Sequence, residues 1–419
     1  MNKFVSASIM STLVFTTLNH CKSRGFNSDS DVQAVIENQD WYEKKIGISG
    51  AQNPDDMSTA ALLDVRGVGD SGVDVGPMED VPQLWRADLS FVNLESIVAD
   101  SCSEQNSGVD FFFRSSLAQV RKAIGAGFNV FSVANNHARD CFVPYGPNIT
   151  SQNMASFNDK ILWHGVSKTD EDSNAEPLEV YTPRIKEFLI KGRKIRVAFA
   201  AIAIQSWSMN GVAQIVSSSE NPNKPLITKL LTGLANADVD FRMLSVHTQD
   251  GSGNNRQEDT AVGYLKAVGE RFIKDFKGNI VFGSGPHTKA GVKVVNSADG
   301  HSGVIFTSLG NFIHEGVSAH GDNILGRALF DIETKQLKTV QVMPVANGDG
   351  SVTFLSTSEA SAPNSNFTWS RNTKSFFAQF NGLNTPNTRG NSCDEAKLKT
   401  CLQFNGGAPC YEKWGCKAP

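Results

Sequence analysis

Six short apolar runs, each closed by residues that bind cations or move protons, constrain this chain more than any other feature. The clearest is Val130-Phe131-Ser132-Val133-Ala134, followed by Asn135-Asn136-His137. Five strand-forming or small residues in a row read as a buried strand of a parallel sheet, covered on both faces. Such sheets place their binding groups just beyond the carboxyl ends of strands. Two amides and an imidazole there supply oxygen acceptors, amide donors and a nitrogen able to ligate metal or carry a proton. The alternative is turn chemistry, with Asn135 or Asn136 capping a helix that begins near Ala138. The pattern recurs, however. Ala61 to Asp70 ends in Gly-Asp, Asp88 to Glu95 in Asn-Leu-Glu, and Phe241 to His247 in His. Asn279 to His287 ends in Gly-Pro-His, and Gly303 to Phe312 in Gly-Asn-Phe. Repetition at six strand ends argues against turn chemistry alone. Carboxylate, amide oxygen and imidazole form the ligand set of a hard or borderline divalent cation such as Zn, Mn, Fe or Mg. Of the cysteines only Cys141 lies near one of these ends, which disfavours thiolate chemistry.

Taken in order, Gly69-Asp70, Asn93-Leu94-Glu95-Ser96, Ala134-Asn135-Asn136-His137, His247, Pro286-His287 and Ser308-Leu309-Gly310-Asn311-Phe312 carry a resemblance. The chain resembles the CapA family of poly-γ-glutamate capsule biosynthesis proteins, whose domain is similar to calcineurin-like metallophosphoesterases. The motifs span roughly residues 60 to 345. The resemblance implies an α/β fold, a four-layer α/β/β/α sandwich of metallophosphoesterase type, with a pocket for one or two divalent metal ions at one end. By position it implies Asp70 on a first cation, Glu95 as the bridging carboxylate, Asn136 and His247 on a second cation, and His287 completing the first. His137 is implied as the catalytic residue, donating a proton to a leaving group or stabilising charge on it. Asn93, Asn135 and Asn311 are implied as amides that orient ligands or substrate. Two cations that share an activated water beside an imidazole are hydrolytic machinery.

The departures from the family pattern are specific. Where the family has Gly-x-His-Pro-His, this chain reads Gly283-Ser284-Gly285-Pro286-His287, so Gly285 stands in place of an imidazole. The family's His-Trp-Gly-x-Glu-Tyr segment is replaced by His247-Thr248-Gln249-Asp250-Gly251-Ser252, in which Gln249 or Asp250 offers a substitute oxygen. After Asn-Asn-His the family's Asp-Tyr-Gly becomes Asp140-Cys141-Phe142. Of the other histidines, His164 fits a core strand end, and His301 and His314 read as surface or supporting residues, although His314 closely follows Asn311.

The ends of the chain point to export. Met1-Asn2-Lys3 and the apolar stretch Phe4 to Leu18 have the layout of a secretory signal, too short and polar for a comfortable membrane span. Leu18-Asn19-His20-Cys21 resembles a bacterial lipobox, with Cys21 as the lipidated residue over residues 1–21; cleavage near Ser23 is the alternative. Residues 22–58 read as a polar tether, 59–345 as the CapA-like domain, 346–392 as a linker and 393–419 as a small cysteine-rich appendage. Setting Cys21 aside leaves six cysteines. Cys102 is expected to pair with Cys141, tying two loops at the pocket rim, while Cys393, Cys401, Cys410 and Cys416 form two bridges of open connectivity.

A chain of 419 residues with 40% hydrophobic content can bury a large core. Its net charge of −4, without a basic run, offers no footprint for nucleic acid. Phe111–Ala126 and Asp259–Phe276 show helical spacing, Lys194–Ile204 reads as a further buried strand, and Ile202–Leu226 as an irregular loop or lid. Two functions of different class follow. One is a cell-envelope protein of capsule or poly-γ-glutamate-type polymer biosynthesis, export or anchoring, with a divalent-metal pocket. The other is an active metal-dependent hydrolase of a phosphoester or envelope polymer linkage. The partners implied are an anionic polymer or phosphoester substrate, and a membrane reached through a lipid anchor on Cys21.

Overall fold

The uninterrupted apolar runs form the central strands of two sheets, as expected where both strand faces are covered. The computed structural model describes residues 61–72, 87–104, 112–169, 178–205, 209–216, 225–248, 259–287, 291–314, 323–348, 351–354, 367–368 and 378–380. Cys21, Gln249, Asp250 and the four tail cysteines lie outside these residues.

In the first sheet, β1 (Leu62–Ser71), β2 (Leu89–Leu94), β6 (Val130–Ser132) and β8 (Leu162–His164) run parallel in that order. Antiparallel β17 (Asn323–Asp331) and β18 (Leu337–Gly348) extend it beyond β1. The stretch 346–392, expected as a linker, contributes β19 (Ser351–Phe354), β20 (Phe367–Thr368) and β21 (Ala378–Phe380), which pair at the outer edge of this sheet. Short pairs join β3 (Ile97–Val98) to β5 (Arg114–Ser115) and β4 (Ser103–Glu104) to β7 (Cys141–Val143). The second sheet runs β10 (Arg193–Gln205), β12 (Phe241–Thr248), β13 (Ile280–Ser284) and β15 (Ser302–Phe306), all parallel. It is edged by β9 (Arg184–Ile190), β11 (Gln214–Val216) and β14 (Val292–Asn296). The segment expected as an irregular loop after Ile202 thus contains strand β11, paired to β10.

One face of each sheet packs on the other. Along β10 the residues alternate: Val197, Phe199, Ala201 and Ala203 join the cluster shared with the first sheet. Ala198, Ala200, Ile202 and Ile204 point the other way. The period of two that defines a strand thereby serves two separate cores. Phe91 of β2 stacks on Phe282 of β13 at 4.5 Å between centroids, and Phe241 of β12 meets Phe330 of β17 edge-on at 4.7 Å. Each such buried ring contributes about 1.5–3 kcal/mol of transfer free energy. Against the outer face of the second sheet lie α3 (Pro225–Asn236) and α4 (Asp259–Phe276); α3 offers Ile227, Leu230, Leu231 and Leu234 at helical spacing. Helices α1 (Leu117–Gly125) and α2 (Gly146–Ala155) contribute Val120, Ala123 and Met154 to the other core. Ser116 and Gln119 start α1 with a reciprocal capping box. The fold is mixed α/β on two facing sheets, in agreement with the sequence.

His164, at the end of β8, is a core histidine that ties the sheets together. The Ala201 amide of β10 donates to its Nδ1 at 2.9 Å, and its Nε2 faces the Thr182 carbonyl at 3.1 Å. Burial first, and then the Arg184 charge, lower its pKa to about 4, so the ring is neutral near pH 7.

The run 303–312 is not one strand. It breaks after Phe306, and residues 311–313 become β16 (Asn311–Ile313), which pairs in parallel with β1 of the other sheet. This crossing needs glycine at both contact points. A Cβ on Gly69 would lie 1.7 Å from the Gly310 carbonyl oxygen, and Gly310 itself sits at φ +74°.

Beneath the β1 end lies a buried ion cluster. Arg66 of β1 and Arg327 of β17 are register partners, and both guanidiniums bond to Asp64, Arg66 Nη2 at 2.8 Å and Arg327 Nη2 at 2.6 Å. Burial alone would raise the Asp64 pKa; the two arginines outweigh it and hold the carboxyl well below the usual carboxylate range. Removing the carboxylate from between two buried cations should cost about 3–5 kcal/mol. We therefore expect Asp64→Ala to lower the urea midpoint strongly. A depressed folded-state pKa gives stability that is present above the unfolded value of 3.8 and is lost as pH falls below it. Wild-type stability should accordingly drop between about pH 5 and about pH 3 by more than that of Asp64→Asn, measured by urea unfolding at each pH.

Candidate functional site

Asp70, at the end of β1, is fully buried. Its Oδ1 accepts from Asn93 Nδ2 at 2.7 Å and its Oδ2 from the Gly285 amide at 2.9 Å, so one carboxylate joins the two sheets. His287 Nδ1 lies 3.7 Å from Oδ2 and His247 Nδ1 lies 3.5 Å from Oδ1. Asn311 is the register partner of Asp70, and its Oδ1 accepts from His287 Nδ1 at 2.8 Å. Expected site residues from four other strand ends are thus gathered around the Asp70 carboxylate.

Glu95, one residue past β2, is the second buried carboxylate. Its Oε2 is 3.0 Å from His314 Nε2, and its Oε1 is 3.5 Å from His247 Nε2. Burial raises the Glu95 pKa, but His287, His247 and His314 outweigh it and hold the acid well below the usual carboxylate range. Burial lowers the pKa of His247; the Glu95 charge, with the Asp70 hydrogen bond and charge, overrides this and raises it, against opposition from His314. His247 Nε2 also faces Asn136 Oδ1 at 2.7 Å, and its Nδ1 faces Ser284 Oγ at 3.1 Å.

The Asn-Asn-His segment divides its work. Asn135 caps the short 3-10 turn Asn136–Arg139, its Oδ1 accepting from the His137 amide at 2.9 Å. Its Nδ2 donates to the Leu94 carbonyl beside Glu95 at 2.9 Å. Capping and site-building are therefore both present, one on each asparagine. His137 sits at the rim, with its side chain 14% exposed, and packs on Phe113 at 4.2 Å between ring centroids. Its Nδ1 meets Asp140 Oδ2 at 2.7 Å, and that oxygen also accepts from the Phe113 amide at 2.7 Å. An imidazole whose Nδ1 is held by a carboxylate keeps Nε2 free for proton transfer.

The residue after Asp140 is Cys141, bonded to Cys102 with Cα atoms 5.7 Å apart, the pairing expected from the sequence. The bridge staples the His137–Asp140 segment to the chain that follows Glu95.

Two residues of this cluster are not singled out by the sequence. His314 reads there as a surface or supporting residue, yet its side chain is buried against Glu95 and edge-on to Phe113 at 4.8 Å. Its position three residues past Asn311 is the only signal. Asp140 enters only as a departure from a family pattern; its i+3 spacing from His137 is the signal that could have found it.

The residues fit a divalent cation. Glu95 Oε1 and Asn93 Oδ1 are buried and accept no hydrogen bond among the described residues. Leaving such atoms unsatisfied costs about 1–3 kcal/mol each, more on a charged group. Glu95, His287 and His314 place ligand atoms within 4.8 Å of one another.

Gly285 marks a change of backbone as well as the loss of a side chain. It adopts φ +108°, and a Cβ there would lie 1.9 Å from the Thr248 carbonyl oxygen. The backbone amide occupies Asp70 instead. Gly285→Ala should therefore destabilise the fold by at least about 1–3 kcal/mol from backbone strain alone, read as a lower thermal midpoint. An unchanged midpoint would show that this turn is not built around glycine.

Comparison with solved structures gives distant likenesses. One is to a structure described as a novel phosphatase from Mycoplasma pneumoniae, at 14% identity, covering 69% of this chain and 95% of that one, with a TM-score of 0.42. Another is to a hypothetical protein from Thermus thermophilus, at 13% identity, covering 68% of this chain and 100% of that one, with a TM-score of 0.40. Comparison with curated proteins gives no match. The family model described as bacterial capsule synthesis protein PGA_cap matches residues 76–315, more than half of the chain and all of the site from Asn93 to His314. The chain belongs to that family of capsule synthesis proteins.

Proposed function

We propose that this protein acts on the outer side of the cytoplasmic membrane in capsule synthesis, engaging an anionic polymer of poly-γ-glutamate type through a divalent cation held in the pocket around Glu95. Family membership supports the capsule role. The observation that carries the cation is Glu95 itself: a fully buried carboxylate with imidazoles near both oxygens and no hydrogen bond to Oε1 among the described residues. Asp70, Glu95, Asn136, His247 and His287 are the groups that would hold one or two ions. A bound cation would supply positive charge to grip and polarise a carboxylate or phosphoryl oxygen. Asn93, Asn135 and Asn311 fix the orientation of the carboxylates, imidazoles and backbone around it.

Export is supported by the amino-terminal signal-like stretch and by the Cys102–Cys141 bridge, since disulfides persist in oxidising compartments. Lipidation at Cys21 would keep the domain at the membrane surface, where a growing polymer emerges.

The His137–Asp140 pair favours a second reading, a metal-dependent hydrolase of a phosphoester or polymer linkage. His137, partly exposed at the rim and oriented through Nδ1, can hold a proton at Nε2 and deliver it to a leaving group.

Two measurements separate the readings. Binding of poly-γ-glutamate to purified protein should require added Mn or Zn, and should be abolished by a chelator and by Asp70→Ala. Equal binding with and without cation would refute the proposal. If hydrolysis of a phosphodiester or of the polymer is found, His137→Ala should slow it by about 10²–10⁴-fold while leaving metal content unchanged. Turnover unaffected by that substitution would remove the proton-donor role.

A further inference from the structure

Glu95 faces two unlike sets of donors, one on each carboxylate oxygen. On the Oε1 side are His247 Nε2 at 3.5 Å and, hydrogen-bonded to that nitrogen at 2.7 Å, the amide oxygen of Asn136. This side carries one imidazole and one neutral oxygen. At Oε2 is His314, with Nε2 at 3.0 Å, and beside its ring lies a second imidazole, His287, with centroids 5.3 Å apart. Asp70 Oδ2 lies 3.7 Å from His287 Nδ1, so a second carboxylate adjoins this set.

We propose that His314 is a metal ligand, and that Glu95, His287 and His314 form the tight divalent-cation position of the pocket, with Asn136 and His247 serving a weaker one. The inference rests on the metal-pocket reading given above and specifies which of its residues bind first.

Three features support it. Ligand atoms of a tetrahedral ion with imidazole or carboxylate donors lie about 3.3–3.6 Å apart, and the three groups have ligand atoms within 4.8 Å of one another. Side-chain shifts on the order of 1 Å would close them on an ion. The positions are also rigid: Glu95 follows β2 and His314 follows β16, and both strands pair with β1. The His314 side chain is fully buried, and its ring is set edge-on against Phe113. Finally, Asn311 Oδ1 accepts from His287 Nδ1, which leaves the lone pair of the neutral ring on Nε2. A hydrogen bond from the distal ring nitrogen is the usual way a ligating histidine is held.

The other side cannot be strengthened from the β13 turn. Gly285 has no side chain, and its backbone geometry excludes one. Two imidazoles with a carboxylate suit Zn or Fe(II), whereas an amide oxygen with one imidazole suits Mn or Mg. The two sides of Glu95 should therefore differ in both affinity and preference.

The test is calorimetric titration of zinc into the full chain, paired with the visible absorption of the cobalt(II)-loaded protein. Wild type should take up one tight equivalent of zinc. His314→Ala should weaken it about 100-fold or more and shift the cobalt spectrum. His314→Phe retains the ring against Phe113 without the nitrogen; it should stay folded, with a midpoint lowered by the lost Glu95 contact, and match the alanine variant in zinc affinity. Asn136→Ala should keep the tight equivalent. Unchanged zinc affinity and cobalt spectrum in a folded His314→Phe protein would overturn the proposal while leaving the pocket reading intact. Loss of the tight equivalent in Asn136→Ala would overturn the assignment of the tight side. A wild-type protein that binds no divalent cation would refute the pocket reading and this inference together.

Discussion

The site depends on one close contact between backbones, where the Gly310 carbonyl meets the end of β1. The Asp70 amide donates to that carbonyl at 2.9 Å, and a side chain on Gly69 would occupy the space it needs. Through this contact the chain leaves the second sheet after β15 and pairs with the first as β16. Asn311 thereby arrives opposite Asp70, and His314 arrives against Glu95. Without that crossing the two sheets would still share a core of stacked phenylalanines. They would not share a polar centre at their ends.

That polar centre is a concentration of buried charge that its own hydrogen bonds only partly satisfy. Two carboxylates and three imidazoles are packed beneath the rim, and the electrostatic pull between them keeps Glu95 ionised and raises the pKa of His247 against burial. Burying ionised groups is costly unless they are paired and bonded. That the fold retains such a cluster and leaves Glu95 Oε1 without a hydrogen bond among the described residues is the observation on which the proposed cation pocket rests. The Asp64–Arg66–Arg327 cluster below it makes the contrast: both arginines close on Asp64 through short charge-assisted bonds, and the cluster serves to join β1 to β17.

Much of this could be read from residue order. The six apolar runs stand at β1, β2, β6, β12, β13 and the β15–β16 segment, because buried parallel strands need no polar alternation and so announce themselves. The helix from Asp259 to Phe276 and the Cys102–Cys141 bridge were also legible. The strand break after Phe306 was not, since Thr307 to Leu309 is as strand-like as what precedes it, and only the tertiary fit of Gly69 to Gly310 decides the crossing. Strands β19 to β21 were hidden in a polar, Ser- and Asn-rich stretch, as edge strands often are. His314 was obscured for a related reason. Its role follows from where β16 lies, and β16 could not be placed from local sequence.

Strand ends from both sheets converge on Glu95, where we propose that they hold a divalent cation. The most direct measurement is anomalous diffraction from crystals grown with zinc, collected on both sides of the zinc absorption edge. An edge-specific peak bonded to Glu95, His287 and His314 is expected. No peak at Glu95, or a zinc ion bound only elsewhere on the molecule, would contradict the proposal.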